Sequence, residues 1–519
     1  MMGLWDLYFI AKLYLYFGHF MGFHAWPNLA FALFLIAPVP ERFSRLKFVR
    51  QVVAFPVGIA LFYYDTWLPP VRRVIQQTPE LKGFTLPYLM ELLGRFFNPW
   101  VVAGMALAAV VYFFARKKLR ISSFIFLAML VPLLTTGHSG LSSGPNGVDS
   151  ANAAGGPGSD ASLTAQLDAF FRNEAGRTVS FTPPAKTDAP FDIIFVQICS
   201  LSWDDIDFTK QRDNPIFKHF NIVFTNFNSA ASYSGPAAIR LLRGSCGQPM
   251  HKSLYDPPSS ECLTFDNLQK IGFEPEIALN HDGHYGGFLD EDIRVRGGLK
   301  ATPFDTKDLP VYLQAFDGSP IHDDYSVLTA WWQKRVQSQA ERVALYYNTI
   351  SLHDGDQYQG RRSNSMEIYP ARLTQLFSDL DNFFKTLQAS GRKAVVVVLG
   401  EHGASVRGDK MQIAGLREIP TPRITKVPVG IKLVGFSDSH ADPVLVSDPT
   451  SYLAISKLLS EFIAVSPFGA NKLSLEDYVR DLPATEFVSQ NEDIVVMKSG
   501  KQYFIHSKDA DWVPYDPSN

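Results

Sequence analysis

The sequence predicts an N-terminal bundle of about five membrane-spanning helices, followed by an α/β domain whose central, mostly parallel sheet is covered by helices on both faces. Three observations predict this. Five apolar segments crowd the first 137 residues. A stretch without apolar periodicity, GHSGLSSGPNGVDSANAAGGPGSD, follows at 137–160. Beyond it, short β-rich runs alternate with helical patterns, the signature of a sheet buried on both faces.

The apolar segments run over 7–23, 29–39, 52–68, 100–115 and 121–134. A spanning helix needs roughly 17–25 residues. The second segment must borrow flanking residues, and the first is interrupted by Lys12 and His19, which also suits an interfacial position. Arg42, Arg45, Lys47 and Arg50 lie between the second and third segments, and Arg116, Lys117, Lys118 and Arg120 between the fourth and fifth. Basic loops stay on the cytoplasmic side, so everything after residue 137 is expected on the far side. A cleaved signal peptide is not expected, because further spans follow at once. The organisation is thus 1–137 transmembrane, 138–162 flexible linker, and 163–519 a folded domain.

In that domain an amphipathic helix is expected at 163–172 through Leu163, Leu167 and Phe170. Buried-type strands are expected at 191–198, 276–279, 343–350, 394–399 and 427–434, and helices near 236–243, 325–339, 368–389 and 450–464. IVVMKSGKQYFIH (494–506) reads as a hairpin around Ser499 and Gly500, an added antiparallel edge of the sheet. The net charge of −3 gives nucleic-acid binding no electrostatic support. Three cysteines are too few for a disulfide framework.

Sites in open α/β sheets form at the carboxyl ends of strands. Here one strand ends in Cys199, one leads to His353 and one ends in Glu401-His402-Gly403. A fourth group lies in SAASYSGPAAIRLLRGSC (229–246), which reads as a loop turning into a helix at Ser234. Gly235 permits a tight bend, Pro236 suits a first helical position, and Ile239, Leu241 and Leu242 give the helix a buried side. A hydroxyl at a helix mouth sits among unpaired N–H groups, a place that favours a phosphate or an alkoxide. Serine is equally at home there as an N-cap. Cysteine, histidine and glutamate together suit zinc, and His353 could act as general acid or base or as a further ligand. Cys199 also fits plain core packing, and His353-Asp354-Gly355 a plain turn. A charged Glu-His pair leaving a buried strand needs a partner.

The same residues carry a resemblance. Cys-Ser-Leu-Ser-Trp-Asp-Asp (199–205), Ser-Tyr-Ser-Gly-Pro-Ala (232–237), Ser-Leu-His-Asp-Gly (351–355) and Gly-Glu-His-Gly (400–403) resemble the alkaline phosphatase/sulfatase superfamily. Within it the chain is similar to the phosphoethanolamine transferases, and among these to the BcsG-type branch that decorates bacterial cellulose. The resemblance implies one zinc ion held by Cys199, Glu401 and His402, with Ser234 as nucleophile near or on it, and Tyr233 and His353 as active-site residues. It implies phosphatidylethanolamine as donor, a cellulose 6-hydroxyl as acceptor, other cellulose synthase subunits as partners, and a multi-pass inner-membrane protein with a periplasmic catalytic domain. Lipid A transferases of the superfamily carry an acidic residue at the Cys199 position and threonine at the Ser234 position. They also have histidines after the metal pair that GASVRGDKMQIAGLREIP lacks. Hydrolysis by a phosphodiesterase or sulfatase, transfer to lipid A or another glycan, and a scaffold role in a synthase complex are the alternatives.

His281 and His284 are candidates to line an acceptor cleft. Arg240 and Arg243 could hold phosphate or form the solvated side of their helix. Cys246 and Cys262 remain as a pair in an oxidising compartment; bonded, they add roughly 3 kcal/mol on the chain-entropy model.

Overall fold

The computed structural model describes residues 3–18, 21–66, 83–96, 99–136, 160–185, 188–360, 363–437, 442–507 and 511–518. Most of the expected linker at 138–162 lies outside these residues. The chain divides into two compact units, Met1–Ile75 with Leu92–Ala154, and Gln76–Glu91 with Gly155–Asn519.

Each of the five apolar segments is helical in the first unit: Trp5–Phe17, Ala25–Ile36, Ser44–Tyr64, Pro99–Ala115 and Ile121–Thr136. Only one stretch among the described residues, Arg45–Tyr64, is long and apolar enough to cross a bilayer, and Ala25–Ile36, Val102–Ala115 and Ile121–Pro132 are shorter apolar helices. Length and composition therefore support one of the five expected spans. The first helix holds 13 residues, short of a full crossing. A further amphipathic helix at Leu86–Phe96 is absent from the sequence reading.

Lys12 is fully buried. Its Nζ donates to Asn28 Oδ1 at 2.7 Å and the Leu61 carbonyl at 3.1 Å and pairs with Asp65 at 2.5 Å. Asp65 also takes His24 Nδ1 at 2.6 Å. A charge among apolar helices persists only when paired in this way, and the cluster ties three helices together.

The described residues of the second unit form fourteen strands: β1 (Asp192–Ile198), β2 (Ile222–Asn228), β3 (Phe273–Leu279), β4 (Val311–Gln314), β5 (Pro320–His322), β6 (Arg342–Thr349), β7 (Gln357–Tyr358), β8 (Ala394–Gly400), β9 (Lys426–Val434), β10 (Val444–Val446), β11 (Val488–Asn491), β12 (Ile494–Ser499), β13 (Gln502–Ser507) and β14 (Val513–Tyr515). The central sheet has the order β10-β2-β9-β8-β1-β6-β3. β8, β1, β6 and β3 are mutually parallel and β10 is parallel to β2, while β9 is antiparallel to both neighbours. The five expected strands are all present; β2 and β10 are additional.

Strand period decides the two cores. From β1, Ile193 and Phe195 pack with the helices Ser234–Leu242 and Tyr452–Ala464, whereas Ile194, Val196 and Ile198 pack with Asp324–Gln337 and Ser365–Ala389. The C-terminal hairpin corrects one expectation. β12 and β13 pair with β11 and β14 in a separate four-stranded sheet and do not extend the central one. Their apolar side, with Val495, Met497 and Phe504, is covered by Leu163, Phe170 and Phe171 of the Asp160–Glu174 helix, so the hairpin already has its own core.

Candidate active site

Two loops at the carboxyl edge of the sheet are bound together by one carboxylate. Asp205 Oδ2 accepts from Ser202 N–H at 3.1 Å, Ser202 Oγ at 2.7 Å and Ala404 N–H at 2.8 Å, and Oδ1 accepts from Val406 N–H at 3.2 Å. Leu201 N–H donates to the His402 carbonyl at 2.6 Å. The glycines either side of Glu401-His402 follow from this closeness. A Cβ at Gly403 would lie 2.5 Å from Ser202 Oγ and 2.7 Å from Asp205 Oδ2, and one at Gly400 would collide with the Leu201 carbonyl. Ser200 adopts φ 61°, a left-handed conformation costly for serine; its carbonyl is held by the Tyr369 hydroxyl at 2.7 Å.

Ser234 opens the helix Ser234–Leu242, with Tyr233 as the N-cap in an extended conformation. Pro236 is thus the third helical residue and not the first. Gly235 is required for a reason other than bending: a Cβ there would collide with Asp292 Oδ2, carried on the π-helical turn Phe288–Arg296. Pro236 has no N–H, so Ser234 and Gly235 supply the N–H groups of the helix mouth.

Ser234 Oγ lies 3.2 Å from Cys199 Sγ and 3.3 Å from His402 Nε2, and Cys199 Sγ lies 3.8 Å from that nitrogen. Ligand atoms of Cys199, Glu401 and His402 all fall within 4.8 Å of one another. Those three side chains are buried while Ser234 is partly exposed, so the hydroxyl forms the accessible face of a closed polar group. Glu401 Oε2 is buried without a hydrogen-bond partner among the described residues.

Burial pushes the Glu401 carboxyl up to about 7. It also pushes the Cys199 thiol well above its usual range, with Glu401 adding to the effect. Burial, then Arg417, holds His402 well below the ordinary imidazole value. His402 Nδ1 lies 3.0 Å from the Gly403 carbonyl, which accepts its N–H and leaves the Nε2 lone pair facing the group. Arg417 Nη1 is 3.2 Å from both that Nδ1 and Ser200 Oγ; only the contact to Ser200 is a hydrogen bond while Nδ1 keeps its proton. An orphan carboxylate oxygen, a thiol and an imidazole lone pair, all out of water, fit a divalent cation of borderline softness, which supplies the charge the ionised carboxylate and thiolate need.

His353, partly buried, is held near 4 by burial and then by Arg417. Its Nδ1 lies 2.7 Å from the Asp354 carbonyl, and its ring packs on Phe316 at 4.9 Å. It is therefore a neutral imidazole with Nε2 as acceptor, suited to start as a base and not as an acid. Tyr233 donates to Glu418 at 3.2 Å, and the Arg417 guanidinium lies 5.5 Å from its ring centre.

Arg417 is the site cation that the sequence reading misses: it stands in a loop, GLREIP, with no period or motif to mark it. Asn348 is also missed, although a polar residue inside the buried run VALYYNTI was a legible signal; it donates to Glu401 Oε1 at 2.5 Å. His281 is bonded to Asn348 at 2.9 Å, whereas His284 is exposed. Arg240 and Arg243 are not the solvated side of their helix. Both are buried; Arg240 donates to the Pro249 carbonyl, and Arg243 to those of Arg296, Ser253 and Asp256. Cys246 and Cys262 form a disulfide, Cys199 is free, and the Cys246–Glu261–Cys262 group is thereby excluded as a metal site.

The fold and this cluster define the class first: an α/β protein whose polar site lies at the carboxyl edge of a doubly covered, mostly parallel sheet. Comparison with known proteins makes it particular. The family models for the cellulose biosynthesis protein BcsG match residues 5–134 (N-terminal domain) and 148–512 (C-terminal domain). The cellulose biosynthesis protein BcsG of Escherichia coli K12 is 39% identical over 98% of this chain and 96% of its own length, and that of Salmonella typhimurium 37% over the same proportions. The chain belongs to the BcsG family of cellulose biosynthesis proteins. Among solved structures it is similar to an alkaline phosphatase superfamily protein from Vibrio parahaemolyticus (TM-score 0.47, 12% identity, 68% of this chain and 88% of that one). It is also similar to the integral membrane lipooligosaccharide phosphoethanolamine transferase A from Neisseria meningitidis (TM-score 0.43, 12% identity, 88% and 96%).

Proposed function

We propose that this protein transfers phosphoethanolamine from phosphatidylethanolamine to glucosyl 6-hydroxyls of cellulose by double displacement on Ser234. It does so as a multi-pass inner-membrane protein with its catalytic domain in the periplasm, alongside other cellulose synthase subunits. One observation carries the reading: a partly exposed hydroxyl at a helix mouth lies 3.2 Å from a buried thiol and 3.3 Å from a buried imidazole nitrogen. Membership of a cellulose biosynthesis family supports the acceptor.

Cys199, Glu401 and His402 would hold one zinc ion. When bound, such an ion lowers the pKa of a neighbouring hydroxyl and draws charge from phosphoryl oxygens. Ser234 Oγ attacks the lipid phosphorus as the bond to the diacylglycerol oxygen breaks, and the Ser234 proton, taken by His353 Nε2, passes to that oxygen so that diacylglycerol leaves. The N–H groups of Ser234 and Gly235 and the Arg417 guanidinium stabilise the phosphoryl oxygens. His353, neutral again with a free Nε2, takes the proton of the incoming glucosyl hydroxyl, whose oxygen bonds to phosphorus as the bond to Ser234 Oγ breaks; the proton then returns to Ser234.

The test is mass spectrometry of the full-length protein after exposure to labelled phosphatidylethanolamine without acceptor. The adduct is expected on the peptide containing Tyr233-Ser234-Gly235, and Ser234→Ala should abolish it and cost several orders of magnitude in transfer. An adduct on another residue, or transfer by Ser234→Ala near the wild-type rate, would overturn the proposal. Release of label only as free phosphoethanolamine when cellulose is present would favour a hydrolase.

A further inference from the structure

A chain of three hydrogen bonds runs along the carboxyl edge of the sheet into Glu401. It begins just past β3, where Gly283 N–H donates to His281 Nδ1 at 3.1 Å. That bond assigns the lone pair to Nδ1 and the proton to Nε2, which lies 2.9 Å from Asn348 Oδ1 on β6. With its oxygen turned to the imidazole, the Asn348 amide must present its nitrogen the other way. There Nδ2 meets the Gln197 carbonyl at 3.4 Å and Glu401 Oε1, just past β8, at 2.5 Å. Asn348 and Glu401 are fully buried, so no solvent competes for these bonds. The consequence is an asymmetric carboxylate: Oε1 is tied, and Oε2, 3.8 Å from His402 Nε2, has no hydrogen-bond partner among the described residues.

We infer that His281 and Asn348 are positioning residues that lock the Glu401 carboxylate with Oε2 presented to a divalent cation. The inference rests on the metal-site reading above, and it concerns a residue, His281, about 120 positions away in sequence from the carboxylate it orients. Strand order makes this possible, since β3, β6, β1 and β8 are neighbours and bring the three side chains to one edge. A free carboxylate would rotate between one- and two-oxygen binding; the relay leaves one oxygen available and spares the cation the cost of ordering it.

The experiment measures Zn2+ affinity of the full-length protein by competition with a chromogenic chelator, together with the visible spectrum of the Co2+ form. Asn348→Leu should weaken Zn2+ binding by about 10–100-fold and change the Co2+ spectrum. His281→Phe, which keeps a ring against Phe288, should weaken binding in the same direction, and His281→Gln, which keeps an N–H donor, should restore it. Because the two residues act in series, the double variant His281→Phe with Asn348→Leu should bind no more weakly than Asn348→Leu alone. Wild-type affinity and spectrum in Asn348→Leu, or fully additive losses in the double variant, would overturn the relay while leaving the function untouched. Should Asn348→Leu fail to fold, the His281→Phe and His281→Gln pair decides by itself. A wild-type protein that binds neither ion would defeat both the relay and the metal reading.

Discussion

Asp205→Ala should loosen the active site more than any single ligand's neighbour, and the cost can be worked from its bonds. The carboxylate receives three backbone N–H groups, those of Ser202, Ala404 and Val406, and one hydroxyl. It is 1% exposed, so water does not replace it. Each buried donor left unmade costs about 1–3 kcal/mol. Local relaxation recovers part of this, and burial of the carboxyl, which pushes it up to about 6, already offsets some of what it contributes. A net loss of roughly 3–5 kcal/mol follows. For a domain of this size that lowers the melting temperature by about 4–7 °C. Since the loops it joins carry Cys199 and His402, Zn2+ affinity should fall as well. Thermal unfolding followed by the fluorescence of Trp203, which begins the same helical turn, measures the first effect and chelator competition the second. An Asp205→Ala protein that melts within a degree of wild type and binds Zn2+ normally would refute the argument that this carboxylate couples the two loops.

Two further outcomes are expected. Burial pushes Asp324 up to about 6, so the folded state holds a proton that the unfolded chain releases near 3.8; the contribution of this group to stability is greatest below that pH and falls by roughly 2–3 kcal/mol as pH rises from 4 to 7. Asp324→Asn cannot titrate, so the denaturant-measured gap between wild type and variant should narrow by that amount across the window, and a gap independent of pH would sink the assignment. Chelator should lower the melting temperature of the wild type, with Zn2+ at 100 times its Kd restoring about 2.7 kcal/mol; Glu401→Gln should lose most of this response, and a full response in that variant would remove Glu401 from the ligand set.

The residues that meet at the candidate site were largely legible in the sequence, and their supporting contacts were not. Runs such as AVVVVL and VALYYNTI announce buried strands because burial on both faces leaves no polar alternation. Cys199, Ser234, Glu401 and His402 stand out because each follows such a run or opens a helix. Local pattern does not carry direction or neighbourhood. VPVGIKLV reads the same whether it runs with or against β8, and only the sheet shows it antiparallel. Arg240 and Arg243 look like the wet side of a helix by spacing, yet packing against the segments around Pro249, Ser253 and Arg296 buries them on carbonyls. The place of Arg417 and the contacts of His281 with Asn348 and of Asn348 with Glu401 were decided by tertiary structure, since a hydrogen bond between residues far apart in the chain exists only once strand order has brought them together. Residue type and hydrophobic period report what a segment must bury; the identity of its polar partners is set by the fold, because each buried donor and acceptor must find whichever group the topology places beside it.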